Sequence, residues 1–338
     1  AMTTFNLGTN FNTSKVTKMR YMFAIAGYET MTSLDLGSKF FTSNVKDMSF
    51  MFDNTGYKAM KTLNLRSNFN TSQVTNMQHM FYMTGRVSLT ALDLGPNFDT
   101  SRVTNMNCMF TWMGEQIKQL DLGDKFDTSA VTDMSGMFWG TGYHKMERFN
   151  LRDNFDTSNV TNMKFMFYDF AGKALTTLDL GDKFYTNNVK DMCQMFYYIE
   201  QPAITTIDLG PAFTRIPDGT ITESDNSTHN AHGNMFDNTG KSGEITIYAS
   251  EQIYLDKNNF KLNTDQTNSA IEFTRGTINP KYRTEWVKES AKITVKEQEN
   301  LNESKIEITL RGRTNAEAGK EYTSDVTSSL KAENIHIL

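Results

Sequence analysis

Two histidines three residues apart, His229 and His232, are the first residues in this sequence whose spacing suggests chemistry. They share the polar stretch 214–234 with Asp218 and Asp225, and imidazole and carboxylate groups are ligands that zinc and related metal ions prefer. Metal ligands need a fixed geometry, however, and the Pro, Asp, Asn and Gly residues of this stretch predict an exposed loop. We therefore favour a solvated loop over a metal site, and we expect no cofactor.

A second candidate for cation binding is a column of Asp and Asn residues, one from each unit of a repeat. Its members are Asn6, Asp35, Asn64, Asp93, Asp121, Asn150, Asp179 and Asp208. Carboxylates on adjacent units repel one another unless a cation or water lies between them, so a Ca²⁺ ladder is one explanation. Asparagine interrupts the column at three positions and dilutes its charge. We therefore favour a hydrated sheet face.

Motifs typical of enzymes are absent from the sequence. It contains no GxSxG, HExxH, Walker or GxGxxG motif, and its five histidines occupy unrelated positions. The net charge of −5 offers no basic field for nucleic acid, and no apolar run is long enough to span a bilayer. We expect a non-enzymatic protein that neither binds nucleic acid nor inserts into a membrane.

Aromatic residues that follow a recurring Met-Phe pair are the best candidates for contacts with a ligand. They are Tyr82, Trp112, Trp139, Tyr168, Tyr197 and Tyr198. Other apolar columns already supply a core, which leaves these rings available to form an exposed stripe along one edge. Rings on a rigid frame bury a large area with little loss of entropy, which suits a protein or glycan partner. The alternative is that the rings pack over the ends of their own repeat segments.

The candidates recur in register because the chain is a tandem repeat. Its Met-Phe pairs are Met22-Phe23, Met51-Phe52, Met80-Phe81, Met109-Phe110, Met137-Phe138, Met166-Phe167, Met195-Phe196 and Met235-Phe236. Successive pairs are 29 residues apart, with one interval of 28 and a last interval of 40 that contains the 214–234 insertion. A unit this small cannot bury its apolar residues alone, so the units must stack into a solenoid with one continuous core.

Two parts of the unit predict its secondary structure. The L-x-L triplet alternates apolar and polar residues, which predicts a short half-buried strand in a parallel sheet. The segment V-T-x-M-x-x-M-F places Val45, Met48, Met51 and Phe52 on one face of a helical or 3₁₀ segment, which a preceding Thr-Ser pair would cap. The predicted fold class is therefore an α/β repeat solenoid of the leucine-rich-repeat type.

The unit resembles the leucine-rich repeat of BspA-like bacterial surface proteins. The resemblance is carried by "LDLGPNFDTSRVTNMNCMF" at 92–110 and "FNLRDNFDTSNVTNMKFMF" at 149–167, and it extends over residues 3–250. It implies a secreted or cell-wall-attached module for adhesion or recognition, with protein or glycan partners that include host matrix proteins. The low cysteine content fits an exported protein of a Gram-positive bacterium. The alternative function is a structural spacer that projects another domain from the cell surface.

Three segments are predicted along the chain. Residues 1–240 form the solenoid of about eight turns, and residues 241–278, with a helix near 250–258 between two strands, form a C-terminal cap. Residues 279–338 change to alternating strand patterns that resemble the start of an immunoglobulin-like β-sandwich. About fifty residues are too few for a full domain of that class, so this β domain is expected to be incomplete.

Overall fold

The computed structural model describes residues 3–8, 10–171, 174–199, 204–239, 245–256, 271–275, 292–296 and 307–311. The chain divides into two compact units, residues 1–282 and residues 283–338. The first unit contains the repeats, which wind into a parallel β-solenoid of about eight coils. The coils are numbered here by the Phe of their Met-Phe pair, from coil 1 at Phe23 to coil 8 at Phe236.

Each coil begins with the strand that its L-x-L triplet predicts. The strands are β1 Thr4–Asn6, β2 Ser33–Asp35, β3 Thr62–Asn64, β4 Ala91–Asp93, β5 Gln119–Leu120, β6 Arg148–Phe149, β7 Thr177–Asp179 and β8 Thr206–Asp208. Pairing is parallel and in register, so that Leu63 lies beside Leu92 and Leu178 beside Ile207. Strands β1–β2, β3–β4 and β5–β6 form two-stranded sheets. Strands β7 and β8 belong to a four-stranded sheet with two later strands of the chain.

The opposite side of each coil consists of consecutive turns, and the prediction of a helical or 3₁₀ segment there is wrong. Backbone N–H groups alternate in direction. Phe23 donates to the Met51 carbonyl of the next coil at 2.9 Å, whereas Met22 donates to the Met19 carbonyl three residues back at 3.2 Å. The residue before the Met-Phe pair has a left-handed backbone, as Phe50 does with a φ of 58°. Because neighbouring coils accept these N–H groups, the segment has no need to satisfy them internally as a helix would.

The core consists of ladders of identical residues that run through the coils. The rings of Phe81 and Phe110 stack 5.5 Å apart at an interplanar angle of 1°, and those of Phe69 and Phe98 lie 6.4 Å apart. Methionines such as Met80 fill the space between the ring columns and are completely buried. A burial this complete, repeated in every inner coil, is what allows units that could not fold alone to be stable together.

The Thr-Ser pair connects coils and does not cap a helix, contrary to the sequence prediction. The buried Thr42 hydroxyl donates to the Asn70 carbonyl of the next coil at 2.7 Å, and Thr71 donates to the Asp99 carbonyl at the same distance. The Ser101 N–H donates to the Asp99 carboxylate at 3.0 Å. Buried threonine hydroxyls thereby satisfy backbone carbonyls of the next coil.

The insertion at 214–234 contains an antiparallel hairpin of β9 Thr220–Thr222 and β10 Thr228–Asn230. After coil 8 the chain forms β11 Ile245–Ala249, α1 Glu251–Asp256 and β12 Ile271–Arg275. Strand β11 pairs in parallel with both β8 and β12, which extends the sheet of the solenoid. The strand, helix and second strand that the sequence predicts after the last repeat are therefore present.

The second unit contains β13 Lys292–Lys296 and β14 Glu307–Arg311, which pair antiparallel. Both strands lie where the sequence predicts strands. The sequence also predicts a strand at "ENIHIL", residues 333–338, and this segment lies outside the described residues. The immunoglobulin-like architecture of residues 279–338 therefore stays a prediction.

Candidate functional site

The aromatic candidates lie on the edge that the consecutive turns form. Most of the edge rings occupy two positions of the coil, the residue before the Met-Phe pair and the residue after it. The left-handed backbone at the first position brings its side chain against the second one. The rings of His79 and Tyr82 are 4.9 Å apart in coil 3, and those of Phe165 and Tyr168 are 5.9 Å apart in coil 6.

The first group of rings, the N-terminal ladder, consists of Tyr21, Phe50, His79 and Tyr82. Tyr21 stacks on Phe50 with ring centroids 4.6 Å apart, and Phe50 contacts His79 at the same distance. The Arg20 guanidinium lies 4.9 Å from the Tyr21 ring. Coils 1 to 3 therefore carry a continuous row of rings that ends with a cation.

The second group, the C-terminal ladder, consists of Trp139, Phe165, Tyr168, Tyr197 and Tyr198 in coils 5 to 7. Tyr168 lies 4.9 Å from both Trp139 and Tyr197, and it stacks nearly parallel on Tyr197. Tyr197 also stacks on Tyr198 at 5.7 Å. The Tyr197 hydroxyl accepts a hydrogen bond from the Asn238 amide at 2.8 Å. Coil 8 thus helps to hold the last rings in place.

Coil 4 separates the two ladders because it carries Cys108 and Thr111 at the two ring positions. Its Trp112 belongs to neither ladder. The Arg86 guanidinium lies 4.2 Å from the Trp112 ring, and a Cβ added to Gly140 in the next coil would lie 2.4 Å from that ring. Trp112 is therefore packed between a cation and a glycine of adjacent coils, and only part of the ring can meet a partner.

The ladder rings are half-buried, with Tyr21 the most exposed at 47%. Burial raises the pKa of the Tyr82 and Tyr168 hydroxyls and lowers the pKa of the His79 imidazole, so these groups favour their uncharged forms. Stacked rings cover one another's faces. A partner would accordingly meet ring edges and uncharged hydroxyl groups, with the Arg20 guanidinium at one end of the N-terminal ladder.

All six aromatic residues singled out from the sequence therefore lie on this edge, but in three separate groups. Sequence reasoning missed Tyr21, Phe50, His79 and Phe165. The signal that could have found them is the residue before the Met-Phe pair, which is aromatic or His in four of eight coils. That position varies widely in type, and so it does not stand out as a repeated column.

The Asp and Asn column on the strand face has a structural role. All eight members accept a hydrogen bond from the backbone N–H two residues later, as Asp93 does from Gly95 at 2.9 Å. Two arginines supply positive charge, since Arg66 lies 3.1 Å from Asp35 and Arg152 lies 2.6 Å from Asp121. Turn capping and ion pairs explain this column without a Ca²⁺ ladder.

A groove of about 430 Å³ lies on the strand face beside β5, β6 and the start of β7. Its lining includes Gln119, Arg148, the half-buried Phe149 and Arg152. Arg152 is engaged by two carboxylates, and Phe149 packs into the core against the Phe138 ring at 5.1 Å. The groove therefore lacks an exposed aromatic anchor, and the aromatic edge is the better candidate for recognition.

The four loop residues considered as metal ligands do not converge. His232 Nδ1 lies 2.8 Å from the Pro217 carbonyl, while His229 faces the solenoid. Asp218 accepts from the N–H of the next residue, and Asp225 caps the hairpin turn. The His-x-x-His spacing therefore does not produce a shared ligand pair.

His229 instead joins a charged cluster between the hairpin and the solenoid. Its Nε2 lies 2.8 Å from Asp191 Oδ2 of coil 7, and its Nδ1 lies 3.6 Å from Glu223 Oε1. Glu223 also contacts the Lys164 ammonium of coil 6. Burial and the Asp191 carboxylate raise the pKa of the nearby Cys193 thiol to about 11. Sequence spacing alone gave no sign of this cluster.

A family model described as "Mycoplasma protein of unknown function, DUF285" matches residues 2–88, 55–172 and 113–204. No curated protein and no solved structure matches the chain. Helix α1, with six residues, is far too short to cross a bilayer, and no other described helix could do so. The family match and the β-solenoid are compatible with a repeat surface protein. Because the matched segments together span residues 2–204, more than half of the sequence, the chain belongs to the DUF285 family.

Proposed function

We propose that this chain is a non-enzymatic recognition module of a bacterial surface protein and that it holds a protein or glycan partner along its aromatic edge. The observation that carries the proposal is the pair of ring ladders, which present tyrosine, histidine and tryptophan side chains in a row along stacked coils. The resemblance to BspA-like leucine-rich-repeat proteins supports it. An exported protein, secreted or attached to the cell wall, is the context in which such a module would work.

The physical argument rests on how the rings are held. Each ladder ring contacts at least one other ring at 4.6 to 5.9 Å, so its rotamer is restricted before any partner arrives. Binding therefore costs little additional side-chain entropy, and half-buried tyrosines offer both apolar area and hydroxyl groups. Tyr and Trp are the residues that most often dominate the binding energy of protein interfaces.

The second candidate function is a structural spacer that projects another domain. The stacking of the rings on one another favours it, because rings that cover each other's faces, as Tyr168 and Tyr197 do, stabilise the coils without any partner. A spacer needs only that stability. The two functions therefore differ in what happens when ladder rings are removed.

The experiment is a binding screen of the full chain against immobilised host matrix proteins and a glycan array. The test variant carries Trp139→Ala, Tyr168→Ala and Tyr197→Ala. The matched control carries three exposed substitutions on the strand face, Thr62→Ala, Gln119→Ala and Arg148→Ala. Both variants carry three alanine substitutions and are expressed under the same conditions, so they differ only in which face of the solenoid is altered.

A recognition module should bind at least one ligand, retain binding in the strand-face control, and lose at least about tenfold in affinity in the ladder variant. Circular dichroism at the assay temperature should show that both variants remain folded. Absence of any ligand across the panel would favour the spacer. Equal binding by both variants would place the contact elsewhere and refute the assignment to the aromatic edge.

A further inference from the structure

The hairpin inserted into coil 8, between β8 and the Met-Phe pair, brings two ligand-type side chains to one side of the solenoid. Thr222 pairs with Thr228, and Ile221 pairs with His229. Alternate residues of a strand point to the same face, so Glu223 follows Ile221 on the face that His229 occupies. A backbone bond from Glu223 N–H to the Ser227 carbonyl at 2.8 Å closes the turn between them. The hairpin therefore holds a carboxylate and an imidazole together.

Coil 7 supplies a third ligand-type side chain at the place where the hairpin meets it. Asp191 belongs to a column in which Asp47, Asn76, Asn105, Asp133 and Asn162 occupy the same position of the earlier coils. Its Oδ1 accepts the Cys193 N–H at 2.9 Å, as Oδ1 of the other members does for the residue two positions later. That bond fixes the carboxylate and leaves Oδ2 directed at His229.

We propose that Asp191, Glu223 and His229 form a binding site for a divalent transition-metal ion of the Zn²⁺ type, which fastens the hairpin to coil 7. One potential ligand atom from each residue lies within 4.8 Å of the other two. Tetrahedral ligand atoms at 2.1 Å from zinc are about 3.4 Å apart. Side-chain rotations that move these ligand atoms by roughly 1 Å would therefore bring all three into coordination distance of one ion. Water would complete the coordination.

The surroundings of the three ligands suit a cation. The Asp191 and His229 side chains are only 10% and 19% exposed, so solvent screens their interactions weakly. The two carboxylates face one permanent cation in the cluster, the ammonium of Lys164, which contacts Glu223. Lys164 has a long flexible stem, and it would leave the carboxylate when a divalent ion takes its place. Lys164 is thus a competitor whose removal should favour metal binding.

The ligand set also selects among metal ions. One imidazole nitrogen with two carboxylate oxygens suits Zn²⁺ and Mn²⁺, while Ca²⁺ prefers six to eight oxygen ligands. Zn²⁺ should therefore bind more tightly than Mn²⁺, in the order expected for nitrogen and oxygen donors. Ca²⁺ should bind weakly or not at all at this site.

The test is isothermal titration of the untagged full chain with ZnCl₂, MnCl₂ and CaCl₂, together with thermal melts in each salt. Two variants remove ligands, Asp191→Asn and His229→Gln. The first keeps the turn cap, because asparagine already fills this position in three other coils. The matched control is His232→Gln, which removes the other histidine of the hairpin region, bonded to Pro217.

We expect one Zn²⁺ per chain and a higher melting temperature in its presence. Asp191→Asn and His229→Gln should each weaken binding at least about tenfold, whereas His232→Gln should bind like the unaltered protein. Lys164→Gln should bind more tightly. The site is refuted if Zn²⁺ gives no saturable heat, if His229→Gln binds as well as the unaltered chain, or if His232→Gln abolishes binding instead.

Discussion

Replacing Gly210 by alanine should destabilise the protein more than the same replacement at Gly181, although the two glycines share one backbone conformation. Their φ angles are 75° and 73°. A Cβ on Gly210 would lie 2.0 Å from the Gly181 carbonyl oxygen of the preceding coil, whereas a Cβ on Gly181 would meet nothing within 4 Å. The comparison therefore isolates the close approach of coils 7 and 8 from the cost of a left-handed residue.

The magnitude follows from two separate effects. A left-handed conformation costs a non-glycine residue about 1–2 kcal/mol, and this cost applies at both positions. Arg66 and Arg152 have φ angles of 62° and 64° at the same position of other coils, which shows that the fold tolerates it. Only Gly210→Ala adds a clash with backbone that the β7–β8 pairing holds in place, for about 1–3 kcal/mol more.

Urea unfolding followed by circular dichroism measures the difference, and thermal melts give a second reading. Gly210→Ala should melt lower than Gly181→Ala by about 2–4 °C for each kcal/mol of the difference. Gly37 and Gly8 provide an independent pair, since a Cβ on Gly37 would lie 2.2 Å from the Gly8 carbonyl oxygen. If the two alanine variants of each pair lost the same free energy of unfolding, the neighbouring coils would move apart to accept the Cβ at little cost. That result would refute the close-approach argument.

Three further predictions concern the core. Thr84→Val should cost about 0.5–1.5 kcal/mol in urea unfolding, because it removes the buried hydroxyl bond to the Phe52 carbonyl at 2.6 Å; an unchanged midpoint would contradict this. Phe110→Ala should cost about 3–5 kcal/mol, since it interrupts a fully buried ring ladder, and a loss below 1 kcal/mol would disprove the ladder's role. At pH 8, native Cys193 should react with iodoacetamide far more slowly than in urea, because its raised pKa of about 11 leaves it protonated; equal rates would count against burial.

Much of the fold could be predicted because the same pattern of apolar and polar residues recurs in every coil. The L-x-L triplets predict strands, and strands form there. The Phe, Val and Met columns predict a core, and those of the inner coils, such as Phe81 and Met80, are fully buried. The six aromatic residues predicted as an exposed stripe are instead half-buried and lie in three groups, and their role in binding stays a prediction. The strand and core predictions can be explained by the repeat. These inferences succeed because stacking identical units in register places identical side chains one above another.

The prediction failed where the partner of a residue lies in another coil. The spacing of Val45, Met48, Met51 and Phe52 fits one face of a helix, yet the same residues also line the inside of consecutive turns. A helix satisfies its N–H groups within the segment, whereas these turns send alternate N–H groups to the next coil. The sequence of one unit does not distinguish these two arrangements.

The sequence by itself determined the period, the strand positions and the composition of the core, since each depends on residues within one unit and on their repetition. Only the tertiary structure decided the path of the turns, the division of the edge rings into two ladders, and the meeting of Asp191 with His229. These last two are 38 residues apart and belong to different elements. Their approach depends on how the inserted hairpin folds back on coil 7, and no spacing in the sequence contains that geometry.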